Sequence, residues 1–187
     1  MKKIETAIDG VYIIESDCFG DNRGWFMETY NEEKFKQMGI DNTFVQDNLS
    51  YSSQIGTLRG LHFQQEPYAQ AKLVRCIKGS VVDIAVDLRK GSPTYGKWVS
   101  CELSEENKRM FFVPRGMAHG FVTTSDEVLF QYKCDNLYNK ESEVGIKYDD
   151  PTINVDWDSF LNGAQPILSQ KDKNNLLLEE CEIKFKY

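Results

Sequence analysis

Between residues 10 and 135 the chain alternates short apolar runs with turn residues. Val11–Ile14, Thr43–Val45, Thr57–Phe63, Lys72–Ile77, Val81–Leu88, Lys97–Leu103, Met110–Val113, His119–Thr124 and Val128–Lys133 are rich in β-branched and aromatic residues and read as strands. KGS, KGSPTYG, SEEN and TSDE lie between them and carry residues that set tight-turn conformations. Many short strands at intervals of about ten residues predict a sandwich or barrel. In VVDIAVDLR, Val81, Asp83, Ala85 and Asp87 share one face, and Val82, Ile84, Val86 and Leu88 share the other. The second face is wholly apolar and should meet a core. Asn31–Met38 (NEEKFKQM), set between Tyr30 and Gly39, predicts one short helix.

The last third changes character. NLYNKESEVGIKYDDPTINVDW is polar and loop-like. In PILSQKDKNNLLLEE, Ser169 is a helix N-cap and Asp172 stands in a capping-box-like position, so a short helix is predicted from about Gln170. No repeat, low-complexity tract or Pro/Gly/Ser linker divides the chain, and residues 1–187 read as one domain.

Composition excludes several classes. No apolar run approaches the roughly 18 residues of a membrane-spanning helix. Two lysines open the chain, but Glu5 and Asp9 interrupt the apolar segment that a signal peptide needs. The expected location is the cytoplasm. Five cysteines without a CxxC pair are neither a disulfide framework nor a zinc spacing, and most are expected to be buried apolar fillers. A net charge of −7 argues against a nucleic-acid-binding surface. It does not exclude a small anionic ligand, because a few arginines can gather in one cleft.

The chain has two histidines, His62 in LRGLHFQ and His119 in PRGMAHGF. Pro114-x-Gly116-x-x-His119 resembles the second signature of the cupin barrel. Gly56-TLRGL-His62-Phe63-Gln64 fits the spacing of the first signature, but Gln64 stands where a second histidine belongs. A metal cupin needs about three or four ligands, mainly imidazole, so no metal is expected. Two inward histidines suit acid–base work instead, because an imidazole with a pKa near 6.5 takes and gives protons near neutrality. Alternatively, each is a hydrogen-bonded core residue. In a regular strand Arg59 and His62 point to opposite faces, so a twist or bulge is needed to bring both into one cavity.

FGDNRGWFMETY, VQDNLSYS, LRGLHFQ, AQAKLVRCIKGSVVDIAVDLRKGSPTYGKW, LSEENKRMFFVPRGMAHGF and YKCDNLY together resemble the dTDP-4-dehydrorhamnose 3,5-epimerase family, over residues 10–173. The resemblance implies an all-β, cupin-like jelly-roll barrel with a few short helices, one near the C-terminus. It implies a homodimer, no cofactor, and a dTDP-4-keto-6-deoxyhexose substrate whose carbonyl acidifies the C3 and C5 protons. Such chemistry needs a base, an acid on the opposite face and a group that stabilises the enolate. By resemblance His62 is the base, Asp172 the carboxylate that orients it, Tyr132 the proton donor and Lys72 the cation near the enolate. Asp172 is equally a helix cap, and both roles are compatible. The resemblance also assigns Arg23, Glu28, Gln46, Asp47, Asn48, Arg59, His119, Tyr138, Glu143 and Lys171 to substrate binding. Tyr138 would stack on the thymine, and Arg23 and Glu28 would act across the dimer. Met117, Trp25, Tyr68 and Ala71 depart from the family's usual residues, none at a catalytic position.

The same groups are compatible with an epimerase acting at only one carbon. A non-catalytic sugar-nucleotide-binding cupin would not need His62, Asp172, Tyr132 and Lys72 together. A metal-dependent cupin would need the missing histidine.

Overall fold

A computed structural model describes all of residues 1–187. The strands are β1 (Lys2–Glu5), β2 (Tyr12–Glu15), β3 (Cys18–Asp21), β4 (Gly24–Met27), β5 (Gln46–Ser52), β6 (Leu58–Gln64) and β7 (Lys72–Lys78). They continue with β8 (Ser80–Asp87), β9 (Trp98–Ser104), β10 (Met110–Val113), β11 (Met117–Thr123), β12 (Val128–Cys134) and β13 (Glu143–Gly145). Three short helices interrupt them: α1 (Glu32–Gln37), α2 (Trp157–Leu161) and α3 (Gln170–Lys173). α1 and α3 stand where the sequence pattern put helices, capped by Asn31 and Ser169. The β1 strand, the β3–β4 hairpin, α2 and β13, which lies in the stretch read as a loop and pairs with β6, are additions to that pattern.

Two antiparallel sheets form the expected jelly roll, with strand orders β1-β2-β10-β7-β12-β5 and β13-β6-β11-β8-β9. They face each other as a sandwich and do not close into a continuous barrel. Val74, Phe111 and Phe130 of the first sheet meet Val81, Ala85, Leu103 and Phe121 of the second in the inner core.

The apolar face of β8 does meet a core, but not the inner one. Ile84, Val86 and Leu88 lie on the outer side of their sheet, under Ile153, Val155, Trp157, Leu161, Leu178, Ile183 and Phe185. The polar-looking last third is therefore a third layer, whose scattered apolar residues cover the sheet. The face carrying Asp83 and Asp87 is the one turned inward, and both carboxylates are fully buried. Cys76, Cys101 and Cys134 are buried as expected, whereas Cys18 is exposed.

The predicted strand Thr43–Val45 is a correction. The strand is β5, which pairs with β12 from Gln46↔Cys134 to Ser52↔Val128. Its alternation is inverted: Leu49 and Tyr51 are exposed, whereas Gln46, Asn48 and Ser50 turn inward. Apolar residues outside and polar ones inside mark a strand that lines a wet cleft.

Candidate active site

β6 and β11 pair out of step. His62 lies opposite His119, and Arg59 lies opposite Phe121, so three steps on β6 match two on β11. This bulge puts Arg59 and His62 on the same inward face, which regular alternation forbids. Gly60 permits it. A Cβ there would sit 2.6 Å from the Cα of Gly120, and the φ of +133° is open to glycine alone.

The inward face opens into a cleft with two adjoining lobes, about 270 and 350 Å³. His62, Lys72 and Tyr132 line both lobes. Arg59, His119, Lys171 and Asp172 belong to the smaller lobe, with Ser50, Phe121 and Ser169. Gln46, Asn48, Tyr138 and Glu143 belong to the larger one, with Gln64 and Gln70.

His62 Nε2 lies 2.5 Å from Asp172 Oδ1, across 110 residues of chain. The Ser169 hydroxyl donates to Asp172 Oδ2 at 2.7 Å. Burial opposes ionisation of Asp172, but these bonds outweigh it and hold the carboxyl below its ordinary range. An ionised Asp172 keeps the imidazole proton on Nε2, which leaves the Nδ1 lone pair as the basic site.

His119 Nε2 lies 2.9 and 3.0 Å from the two oxygens of Asp83, and both residues are buried. Burial pushes the His119 pKa down and the Asp83 pKa up. Burial also pushes the Lys72 ammonium down, opposed by the nearby acidic groups Asp83 and Glu143. Lys72 Nζ lies 5.9 Å from the Tyr132 ring centre and has no carboxylate within ion-pair range. The Tyr132 phenol is held in its protonated form, chiefly by burial. An unpaired ammonium and a free phenol therefore share one cleft with a carboxylate-held imidazole.

The larger lobe is built by two glutamines. Gln46 Oε1 accepts from Tyr138 N at 2.9 Å. Gln64 Oε1 accepts from Asn139 N at 2.7 Å, while its amide donates to Leu137 O and Tyr68 O. Residues 137–139 are thus clamped, with Tyr138 at the lip. The Tyr138 hydroxyl donates to Glu143 at 2.8 Å, and Lys171 pairs with the same carboxylate at 2.6 Å. The position of the second cupin histidine is therefore filled by a buried amide whose bonds all go to backbone.

Three expected site residues lie elsewhere. Asp47 points to the opposite face of β5 and pairs with Lys133 at 2.9 Å, because strand alternation turns it away from Gln46 and Asn48. Arg23 pairs with Asp21 at 2.5 Å and Glu28 with Lys34 at 2.7 Å, and neither lines this chain's own cleft. Asp83, Gln64 and the side-chain bond of Ser169 were not anticipated as parts of the site. An acid within the otherwise apolar VVDIAV run was the available signal for Asp83.

A family model described as dTDP-4-dehydrorhamnose 3,5-epimerase matches residues 5–180. The chain belongs to this family. An epimerase of that name from Methanothermobacter thermautotrophicus is 52% identical over 171 residues, covering 91% of each chain. The crystal structure of a dTDP-6-deoxy-D-glucose-3,5-epimerase from Legionella pneumophila, in complex with dTDP-4-keto-L-rhamnose, superposes with a TM-score of 0.94. It is 46% identical and covers 100% of this chain and 98% of its own. A 3'-monoepimerase from Streptomyces bikiniensis in complex with dTDP-quinovose is 30% identical, with a TM-score of 0.86, 93% of this chain and 86% of its own covered. The epimerase fold thus serves both double and single inversion.

Proposed function

We propose that the chain inverts C3 and C5 of dTDP-4-dehydro-6-deoxy-D-glucose to give dTDP-4-dehydro-L-rhamnose, by general acid–base catalysis. The observation that carries this reading is the convergence of the Asp172-held His62, the Tyr132 hydroxyl and the unpaired Lys72 on one cleft.

His62 Nδ1 removes the proton from the carbon next to the C4 carbonyl. The electron pair moves into the ring to form an enolate, and its negative charge grows on the C4 oxygen. The Lys72 ammonium stabilises that charge, and its low solvation strengthens the attraction. Tyr132 returns a proton to the opposite face of C5, and burial keeps its phenol protonated until then. Imidazolium and phenolate exchange protons with water to reset the site. Asp172 stabilises the imidazolium while it exists. Arg59 supplies a planar fork for diphosphate oxygens, and Tyr138, at the lip, presents its ring to the thymine.

The active form is proposed to be a cytoplasmic homodimer of single-domain chains, each cleft completed by Arg23 and Glu28 of the second copy. The β3–β4 hairpin that carries Arg23 exposes Phe19 (67%), Trp25 (55%) and Phe26 (71%), a set of rings that suits burial against a second copy. No helix is long and apolar enough to cross a membrane.

The test is exchange in heavy water with dTDP-4-dehydro-6-deoxy-D-glucose, read by NMR and mass spectrometry. Deuterium at both C3 and C5, lost in His62→Asn, is expected. Label at C3 alone would favour the single inversion carried out by the Streptomyces bikiniensis relative, and no label would refute both.

A further inference from the structure

The carboxylate behind His62 is held from both ends. Asp172 Oδ1 faces His62 Nε2 at 2.5 Å, Oδ2 accepts the Ser169 hydroxyl at 2.7 Å, and the Asp172 backbone N–H donates back to Ser169 Oγ at 3.1 Å. The Asp172 side chain is 5% exposed, whereas Ser169 itself reaches solvent. Its helix, α3, has four residues. A single turn has no stability of its own in water. The segment before it is tied to the chain that leads into β6: Leu58 N donates to Ile167 O at 2.9 Å, and Ile167 N to Gly56 O at 2.8 Å. Ser169 follows two residues later, on the wall of the smaller lobe.

We propose that Ser169 is a positioning residue of the epimerase, whose hydroxyl pins Asp172 Oδ2 so that Oδ1 is presented to His62 and the imidazole turns Nδ1 into the cleft. The proposal rests on the reading of His62 as the base. Without the hydroxyl, Oδ2 has no side-chain donor. The carboxyl torsion is broad and roughly two-fold, so both oxygens would then compete for the single imidazole N–H. A carboxylate that loses a donor also attracts the imidazolium more strongly, so the free enzyme should keep its ring protonated to higher pH.

An N-cap role by itself would use only the acceptor side of the same oxygen. The two roles separate in variants. Ser169→Asp keeps a good capping acceptor but has no hydrogen to donate and places a like charge beside Asp172. Ser169→Thr keeps both functions, and Ser169→Ala removes both. The experiment compares these three with wild type and His62→Asn in initial rate, KM, the pH profile of kcat/KM and thermal unfolding. Ser169→Ala is expected to lower kcat roughly 10- to 100-fold, the range set by losing a hydrogen bond to a charged group. KM should stay within about twofold, because the hydroxyl is engaged by the Asp172 carboxylate and backbone N–H. The acid limb of the profile should move to higher pH. Ser169→Asp should show the same kinetic losses, with its unfolding temperature lowered by the charge repulsion it adds, and Ser169→Thr should restore both rate and profile. Wild-type kcat and pH profile in Ser169→Asp, or a Ser169→Ala effect confined to unfolding temperature, would overturn the proposal and leave only the cap. Activity retained in His62→Asn would instead remove the base reading itself, whatever the Ser169 variants do.

Discussion

Replacing Asp172 by Asn keeps the shape of the site and removes one charge. The 2.5 Å contact between His62 Nε2 and Asp172 Oδ1 places the two charge centres about 4 Å apart once the imidazole is protonated. At an effective dielectric constant of about 20, their attraction is about 4 kcal/mol. Most of this exists only when His62 carries the substrate's proton, so it favours the transition state over the ground state. Its loss corresponds to roughly 10³-fold in kcat. The tautomer adds to the effect. An Asn amide can donate to Nε2, which moves the imidazole proton to Nδ1 and blocks the basic site. The assay is the initial rate of deuterium incorporation at C3 and C5 in heavy water, with dTDP affinity measured in parallel and expected to stay unchanged. A variant within about threefold of wild type would refute the reasoning, because a positioned base pair is worth far more than that. A pH signature accompanies it. The folded-state pKa of Asp172 is depressed. Its stabilisation of the fold is thus present above the unfolded value of about 3.9 and is lost as the pH falls through the lower folded value. The difference in unfolding temperature between wild type and Asp172→Asn should shrink as the pH drops from about 6 towards 3.

Tyr132→Phe removes the phenolic donor, so C5-inverted product should form roughly 10²- to 10⁴-fold more slowly with unchanged dTDP affinity. Weaker affinity alone would make Tyr132 a binding residue. Gln64→Met unties residues 137–139 from β6 and should raise the Kd for dTDP roughly tenfold, the scale of one or two lost hydrogen bonds, with kcat nearly unchanged. A fall in kcat at constant affinity would count against the clamp. Arg23→Ala and His62→Ala should each be inactive, yet co-refolded mixtures should recover about a quarter of the wild-type rate, because half the dimers are mixed and one of their two clefts is intact. No recovery would place Arg23 within its own chain's site, and an active Arg23→Ala would place it outside any site.

Local pattern encodes only what neighbours a few residues apart decide. The period-two alternation of β8 is visible in VVDIAVDLR, and the caps of α1 and α3 are visible in Asn31 and Ser169. These depend on neighbours a few residues apart. The pairing of His62 with Asp172 came only from resemblance to a family, since no local rule joins groups 110 residues apart. The cysteines read as buried fillers because small apolar side chains follow solvent exclusion rather than partner identity.

Four features were decided by tertiary structure. The register shift between β6 and β11, permitted by Gly60 against Gly120, places Arg59 beside His62. Pairing with β12 fixes β5 at Gln46–Ser52 and turns Asp47 away from the cleft. The last third covers the outer face of β8, so the apolar face looks to a third layer and the acid-bearing face lines the interior. Asp83 meets His119 there. Sequence by itself determined that the apolar face of β8 must be buried and where α1 and α3 begin. It did not determine what buries each face, because that choice depends on register and on contacts between segments far apart in the chain.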